Sequence, residues 1–233
     1  MSEYDGIQSA YTTTFIKQDG SNTASPPDTV PETAGLSYTE ADFGALSLKN
    51  PDTAGWIAIP GTVVNYPVVW FSDNEKYLDT SFEGKHSSAG AIFADKDNTM
   101  YPLDTNTILY GHNMGKGRQD MFGSLLAYKE YEYYAAHRYI QFDTVYERHG
   151  WWKVFAVVMY DVRDKNFPFP QTSFSDAAAF AEWQEKITAY SFHGADTDIS
   201  PGARILTLST CDRSQYRRYG RLLILAVKID KED

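Results

Sequence analysis

The chain is poor in cysteine. It holds one, Cys211, in 233 residues. No intrachain disulfide can staple it, so redox compartment cannot be read from pairing. A lone thiol is either buried and inert or exposed and used. Positive charge is also scarce: 21 Lys and Arg stand against 31 Asp and Glu, a net charge of -10. That excludes a general phosphate-backbone binder, which needs a basic footprint, though not a small basic pocket. Long apolar runs are missing. The longest aliphatic run near the C-terminus, "LLILAV", is far too short to span a bilayer. The N-terminus has no basic region followed by an apolar one, so it is no signal peptide. No internal repeat is present.

What the chain does have is core material: 42% apolar residues and 15% aromatic. Such a composition excludes a disordered protein. Residues 1–36 are the exception. They are rich in Ser, Thr, Pro, Gly and Asp without a sustained period, and "TASPPDTVPETAG" reads as a linker or poorly ordered segment. The folded domain is expected over 37–233. Its first element is a short helix in "SYTEADFGALSLKNPDTAG", with Thr39 as N-cap, Asp42 in the first turn, Phe43 and Leu46 as the apolar stripe, and Pro51 and Gly55 ending it.

Then come eight short segments: "GWIAIP", "VVNYPVVWF", "GAIFAD", "TILYG", "YIQFDT", "WWKVFAVVMY", "RILTLST" and "RLLILAVKI". They are rich in Val, Ile and aromatic residues and bounded by Gly, Pro, Asn and Asp, which predicts a mainly β barrel or sandwich. Two helical intervals interrupt them, "DMFGSLLAYKEYEYYAAHR" and "SFSDAAAFAEWQEKITAYSF". In the second, Ser175 is the expected N-cap, and Phe180, Trp183, Ile187 and Tyr190 recur at helical spacing as a core stripe.

Cys211 falls at the end of the alternating strand "RILTLSTC", and Arg221 opens the next strand ten residues later. If those strands pair, Arg221 returns beside the thiol across the hairpin. A guanidinium near a thiol favours the thiolate and can donate to an oxyanion. A buried, inert cysteine beside a surface arginine loop fits the same residues. A nucleophilic thiol also needs a proton partner. Of the five histidines, His86, His137, His149 and His193 have no distinguishing position, whereas His112 follows the "TILYG" strand in the Gly-rich turn "YGHNMGKG". Strand-to-loop junctions hold reactive groups on a rigid frame, open to substrate. "DKDN" at Asp95 to Asn98 has too few ordered oxygen donors to read as more than a turn, so no metal is expected.

"TLSTC" with an Arg ten residues on, "YGHNM" followed by "MFGSL", and the agreement of "GWIAIPGTVVNYPVV", "NEKYL" and "GKHSSAGAIF" resemble the class B sortases over roughly residues 37–230. The resemblance implies an eight-stranded sortase-type β-barrel with peripheral helices and a cysteine transpeptidase without cofactor. Such enzymes cut a C-terminal sorting signal after its Thr and pass the acyl group to a cell-wall or pilin amine.

Carried over by residue, the resemblance implies Cys211 as nucleophile, His112 as acid/base and Arg221 as the oxyanion or substrate-backbone donor. It implies substrate contacts at Ser209, Asn74, Leu78 and Asp212, with "RDKNFPFPQ" in the position of the family's specificity loop. Some relatives carry an acid two positions after the cysteine; here that position is Arg213, and the acid is Asp212. The partners implied are secreted proteins bearing a sorting signal and a peptidoglycan-precursor or pilin amine. The location implied is the outer face of the membrane, with the anchoring segment cut from this chain. Two other readings fit the residues: a cysteine hydrolase with water as acceptor, and a non-enzymatic β-rich surface binding module.

Overall fold

The eight Val-, Ile- and aromatic-rich segments are the eight strands of one closed barrel. The computed structural model describes residues 2–16, 33, 35–194 and 199–229. Two strands precede the barrel: β1 (Thr12–Ile16) and β2 (Ser37–Ala41). The barrel strands are β3 (Thr53–Ala58), β4 (Asn65–Trp70), β5 (Ile92–Ala94), β6 (Asn106–Tyr110), β7 (Tyr139–Thr144), β8 (Trp151–Asp161), β9 (Ile205–Cys211) and β10 (Gly220–Lys228). They close in the order β10-β8-β7-β3-β4-β5-β6-β9. The β4–β5 and β6–β9 pairs are parallel; the other ladders are antiparallel. Closure leaves no open edge among the eight barrel strands, which matters for a mainly β chain.

Why β10 reads as an unbroken apolar run follows from its two buried faces. Leu222, Ile224 and Ala226 point into the barrel with Leu206, Leu208, Phe142 and Trp152. Leu223, Leu225 and Val227 join an outer layer with Phe180, Trp183 and Ile187. Those three residues belong to α4 (Ala177–Thr188), which covers that face. Each fully buried side chain of this size contributes about 1.5–3 kcal/mol of transfer free energy. Tyr190 lies past the helix end and is exposed, so it is not part of the stripe. The N-cap is Asp176, whose carboxylate accepts from Ala179 N–H at 2.8 Å, one residue later than the expected Ser175. The other helical interval splits into a 3₁₀ segment, Gly123–Lys129, and α3 (Tyr131–Ala136).

The N-terminal region departs from the expected linker. Residues 3–16 form α1 (Glu3–Tyr11) and β1, and β1 pairs antiparallel with β2. Residues 17–32 of that expected linker lie outside the described residues. Pairing also moves the next helix. Thr39 is a strand residue opposite Thr14, and α2 (Phe43–Lys49) takes Asp42 as its N-cap. Pairing with β1 and side-chain hydrogen bonds across 102 to 105 residues of chain outcompete the local cap: Gln141 binds both backbone groups of Thr39, and Tyr38 Oη donates to buried Asp143 at 2.6 Å. A third apolar cluster, including Ile7, Leu46, Trp56, Tyr77 and Phe82, joins α1 and α2 to the barrel.

His149 sits 1% exposed among these strands, near Phe142 and Trp152. Burial, with help from Lys228 and Arg204, depresses its pKa to about 4, against a partial opposing pull from Glu147. Above about pH 6.5 the folded and unfolded chains both hold it neutral, so it contributes nothing to pH dependence. As pH falls from there toward 4, the unfolded chain takes the proton and the folded one resists it, so stability is lost. His149→Gln is expected to remove about 2 kcal/mol of that acid destabilisation. Melting curves across the window check this; an equal fall in Tm for both proteins contradicts it.

Candidate active site

Cys211 is the last residue of β9, and its Cα partner across the antiparallel ladder is Arg221 of β10. Directly opposed residues in such a ladder have Cα atoms about 4.5–5.5 Å apart and side chains on one face. Residues 212–219 join the two strands, and their ends close tightly. Asp212 N–H donates to Gly220 O at 3.1 Å, and a Cβ on Gly220 would lie 2.0 Å from Asp212 O. Only glycine fits there.

Asp212 is not a groove residue. Its side chain is buried, paired with Lys129 Nζ at 2.7 Å and accepting from Ser214 N–H at 2.8 Å. Burial alone would raise its pKa, but Lys129 and the two hydrogen bonds from Ser214 outweigh it and hold the carboxyl below the ordinary range. Expected as a substrate contact, this carboxylate is engaged in anchoring the connecting loop. Sequence adjacency to the thiol does not reveal that Lys129, 83 residues away, reaches it.

His112 arrives from β6. Three bonds lock its two flanking residues to β9: Gly111 N–H to Ser209 O at 3.2 Å, Thr210 Oγ1 to Gly111 O at 2.8 Å, and Asn113 Nδ2 to Cys211 O at 2.9 Å. Gly111 is needed for this approach, since a Cβ would meet the Ile92 and Phe122 side chains at 2.5–2.6 Å. The imidazole Nε2 lies 2.7 Å from Leu78 O. A carbonyl only accepts, so Nε2 carries the proton in this bond and Nδ1 is left as the basic nitrogen. A backbone carbonyl, and not a carboxylate, therefore orients the ring.

A pocket of about 190 Å³ brings together Asn74, Leu78, His112, Ser209, Cys211 and Arg221, with Phe93 and Tyr110 in its wall. Six of the seven residues singled out in the sequence thus share one cavity; Asp212 does not. Asn74 lines it with its amide engaged: Nδ2 donates to Asp95 and Oδ1 accepts from Lys96 N–H. Tyr110 Oη donates to the same Asp95 carboxylate at 2.7 Å. Arg221 Nη1 donates to Arg218 O and Gly220 O, which leaves three N–H donors without a partner among the described residues.

A second cavity of about 350 Å³ shares Tyr110, Ser209 and Arg221 and is walled by Phe167, Phe169 and Pro170 of the 163–171 segment. Tyr160 lies beneath it; burial pushes its phenol up to about 12 despite the opposing charge of Arg221, so it is neutral. The wall is pinned by Trp183 Nε1 to Pro168 O and by Asn106 Nδ2 to Gln171 O. Sequence reasoning missed Tyr110, Tyr160 and Asn113. Tyr110 and Asn113 flank the Gly-His pair, and that adjacency is the one signal that points to them. Among the described residues no cluster of three His, Cys, Asp or Glu is arranged to hold a metal ion.

Known proteins resemble this chain in sequence and fold. The sortase domain model matches residues 57–229. Sortase B of Listeria monocytogenes is 34% identical over 189 residues, covering 80% of this chain and 73% of the relative. A structure of sortase B from Bacillus anthracis in complex with AAEK2 superposes with a TM-score of 0.76 at 31% identity, covering 98% of this chain and 95% of that one. A Staphylococcus aureus sortase B–substrate complex gives 0.73 at 32% identity, over 82% and 85% of the two chains. The chain belongs to the sortase family, among the class B enzymes, and is a cysteine transpeptidase.

Proposed function

We propose that Cys211, His112 and Arg221 carry the transpeptidation, with a sorting-signal peptide as donor and a cell-wall or pilin amine as acceptor. The observation that carries this reading is the pairing of Cys211 with Arg221 beside a histidine tied to the same strand. His112 takes the Cys211 thiol proton, and the resulting thiolate attacks the carbonyl carbon of the signal's Thr. The free N–H groups of Arg221 donate to the oxygen as negative charge develops there. His112 protonates the departing amine, and the C–N bond breaks to leave a thioester. An incoming amine then attacks the thioester, His112 takes its proton, and the thiolate is released.

The donor peptide is proposed to run past Ser209 and Tyr110, beside Leu78 and along the 163–171 segment. The shared wall of the two cavities supports that path. A related sortase B captured with a substrate supports a peptide donor. Sortases are bacterial cell-surface enzymes that act on the wall; for this chain we propose the outer face of the membrane. Among the described residues no helix is long and apolar enough to cross a membrane.

Cys211→Ala is expected to keep the fold and abolish acyl-enzyme formation, with a loss of several orders of magnitude in turnover. Near-normal turnover in that variant sinks the mechanism. Arg221→Lys keeps the charge but loses the planar fork, and should cost about 10²-fold in kcat. If kcat is unchanged, the guanidinium is absent from the transition state.

The acceptor is tested separately. At neutral pH most simple amines are protonated and poor nucleophiles, so a productive acceptor must be held where His112 can take its proton. Titrating glycine-type or stem-peptide amines into a cleavage reaction should convert free-acid product to amide while hydrolysis without amine stays slow. Fast hydrolysis that no amine diverts supports the hydrolase reading instead.

A further inference from the structure

We propose that the N-terminal helix is a positioning element of the reaction, acting through Tyr4 on His112 from two sides. This rests on the proton-transfer role proposed for His112. The helix is not loosely attached. Ser2 and Asp5 form a reciprocal capping box, Ile7 is 2% exposed, and Gln8 Nε2 donates to Asn65 O of β4.

The first arm runs to the imidazole. Tyr4 Oη donates to Gly90 O at 2.6 Å. Burial raises this phenol far above its ordinary value, so it stays a neutral donor. Gly90 has φ +58°, and a Cβ there would lie 2.3 Å from Tyr77 O and 2.9 Å from Leu78 O. Ala91 N–H donates to Tyr77 O at 3.0 Å. The backbone that Tyr4 grips is therefore the surface against which the Tyr77 and Leu78 carbonyls rest. Leu78 O is the acceptor for His112 Nε2 at 2.7 Å.

The second arm runs to the backbone of the same histidine. The Tyr4 ring meets Tyr66 edge-on, 5.3 Å between centroids. Tyr66 Oη accepts from Met121 N–H at 3.0 Å. Met121 has φ +54°, a left-handed conformation that a non-glycine residue keeps only when its surroundings hold it. The next residue, Phe122, donates its N–H to His112 O at 3.0 Å. One side chain on α1 thus supports both the ring acceptor and the backbone of His112, in addition to the bonds that Gly111 and Asn113 make to β9.

A misplacement of about 1 Å at a reacting group can cost about 10²-fold, and loosening one arm should cost less. Tyr4→Phe keeps the ring and deletes the hydroxyl with its bond to Gly90. It is expected to lower kcat about 10-fold with KM changed less than about 2-fold, the split for a group that acts after binding. The side-chain nitrogen resonances of His112 should shift in the same variant, as the Leu78 hydrogen bond loosens. Tyr66→Phe breaks the second arm and reads the proposal independently should Tyr4→Phe fold poorly. Because both arms end on one residue, the double variant should lose less than the product of the two single losses.

Wild-type kcat in Tyr4→Phe and Tyr66→Phe, or reduced kcat with unmoved His112 resonances, overturns the proposal. His112→Ala in the same assay separates the two readings. If it is inactive while both tyrosine variants are unimpaired, only the positioning role fails; if it retains full turnover, the acid/base assignment fails.

Discussion

The site depends on one register. Arg221 lies opposite Cys211 because Leu222, Leu223 and the residues that follow pair in step with Thr210, Ser209 and the rest of β9. A slip of one residue would turn every side chain of β10 to the wrong face. Here that would send Leu222 and Ile224 out of the barrel and Arg221 into it. The register is strongly specified because β10 is buried on both faces, and each face demands its own apolar set. Gly220 lets the chain return close enough to pair at all.

The rest of the reactive centre is built against that hairpin. The parallel β6–β9 pair brings the end of β6 beside the end of β9, and side chains from Thr210 and Asn113 tie the residues flanking His112 to it. The loop after Cys211 is held from beneath by Asp212 and Lys129. On the far side, α4 packs Trp183 under the 163–171 segment and so fixes the groove wall with the same layer that buries β10. Stability and site geometry share their contacts. Large-to-small changes at Trp183 or Leu223 therefore bear on both.

All eight barrel strands were legible in the sequence, because each carries a short β-rich run bounded by turn residues. The placement of Cys211, His112 and Arg221 around one pocket was legible from strand ends and from family resemblance. Helix starts at Thr39 and Ser175 were misread: Thr39 is held in a strand and Asp42 caps the helix instead, while the adjacent Asp176 takes the cap from Ser175. Residues 3–16 were missed since their helix and strand are stabilised by distant partners: Asn65, Gly90 and the β2 strand. The burial of Asp212 was not legible for the same reason. Its partner Lys129 is remote in sequence, and no local pattern distinguishes a carboxylate that faces a groove from one that anchors a loop.

The most direct measurement is a crystal structure with a sorting-signal peptide trapped covalently through a thiol-reactive carbonyl in place of its scissile bond. The account predicts a single bond to Cys211 Sγ, the carbonyl-derived oxygen within hydrogen-bond distance of the Arg221 guanidinium, and His112 still bound to Leu78 O on the leaving-group side. An adduct on Cys211 whose oxygen turns away from Arg221, with the guanidinium bonded only to Arg218 O and Gly220 O, would contradict it.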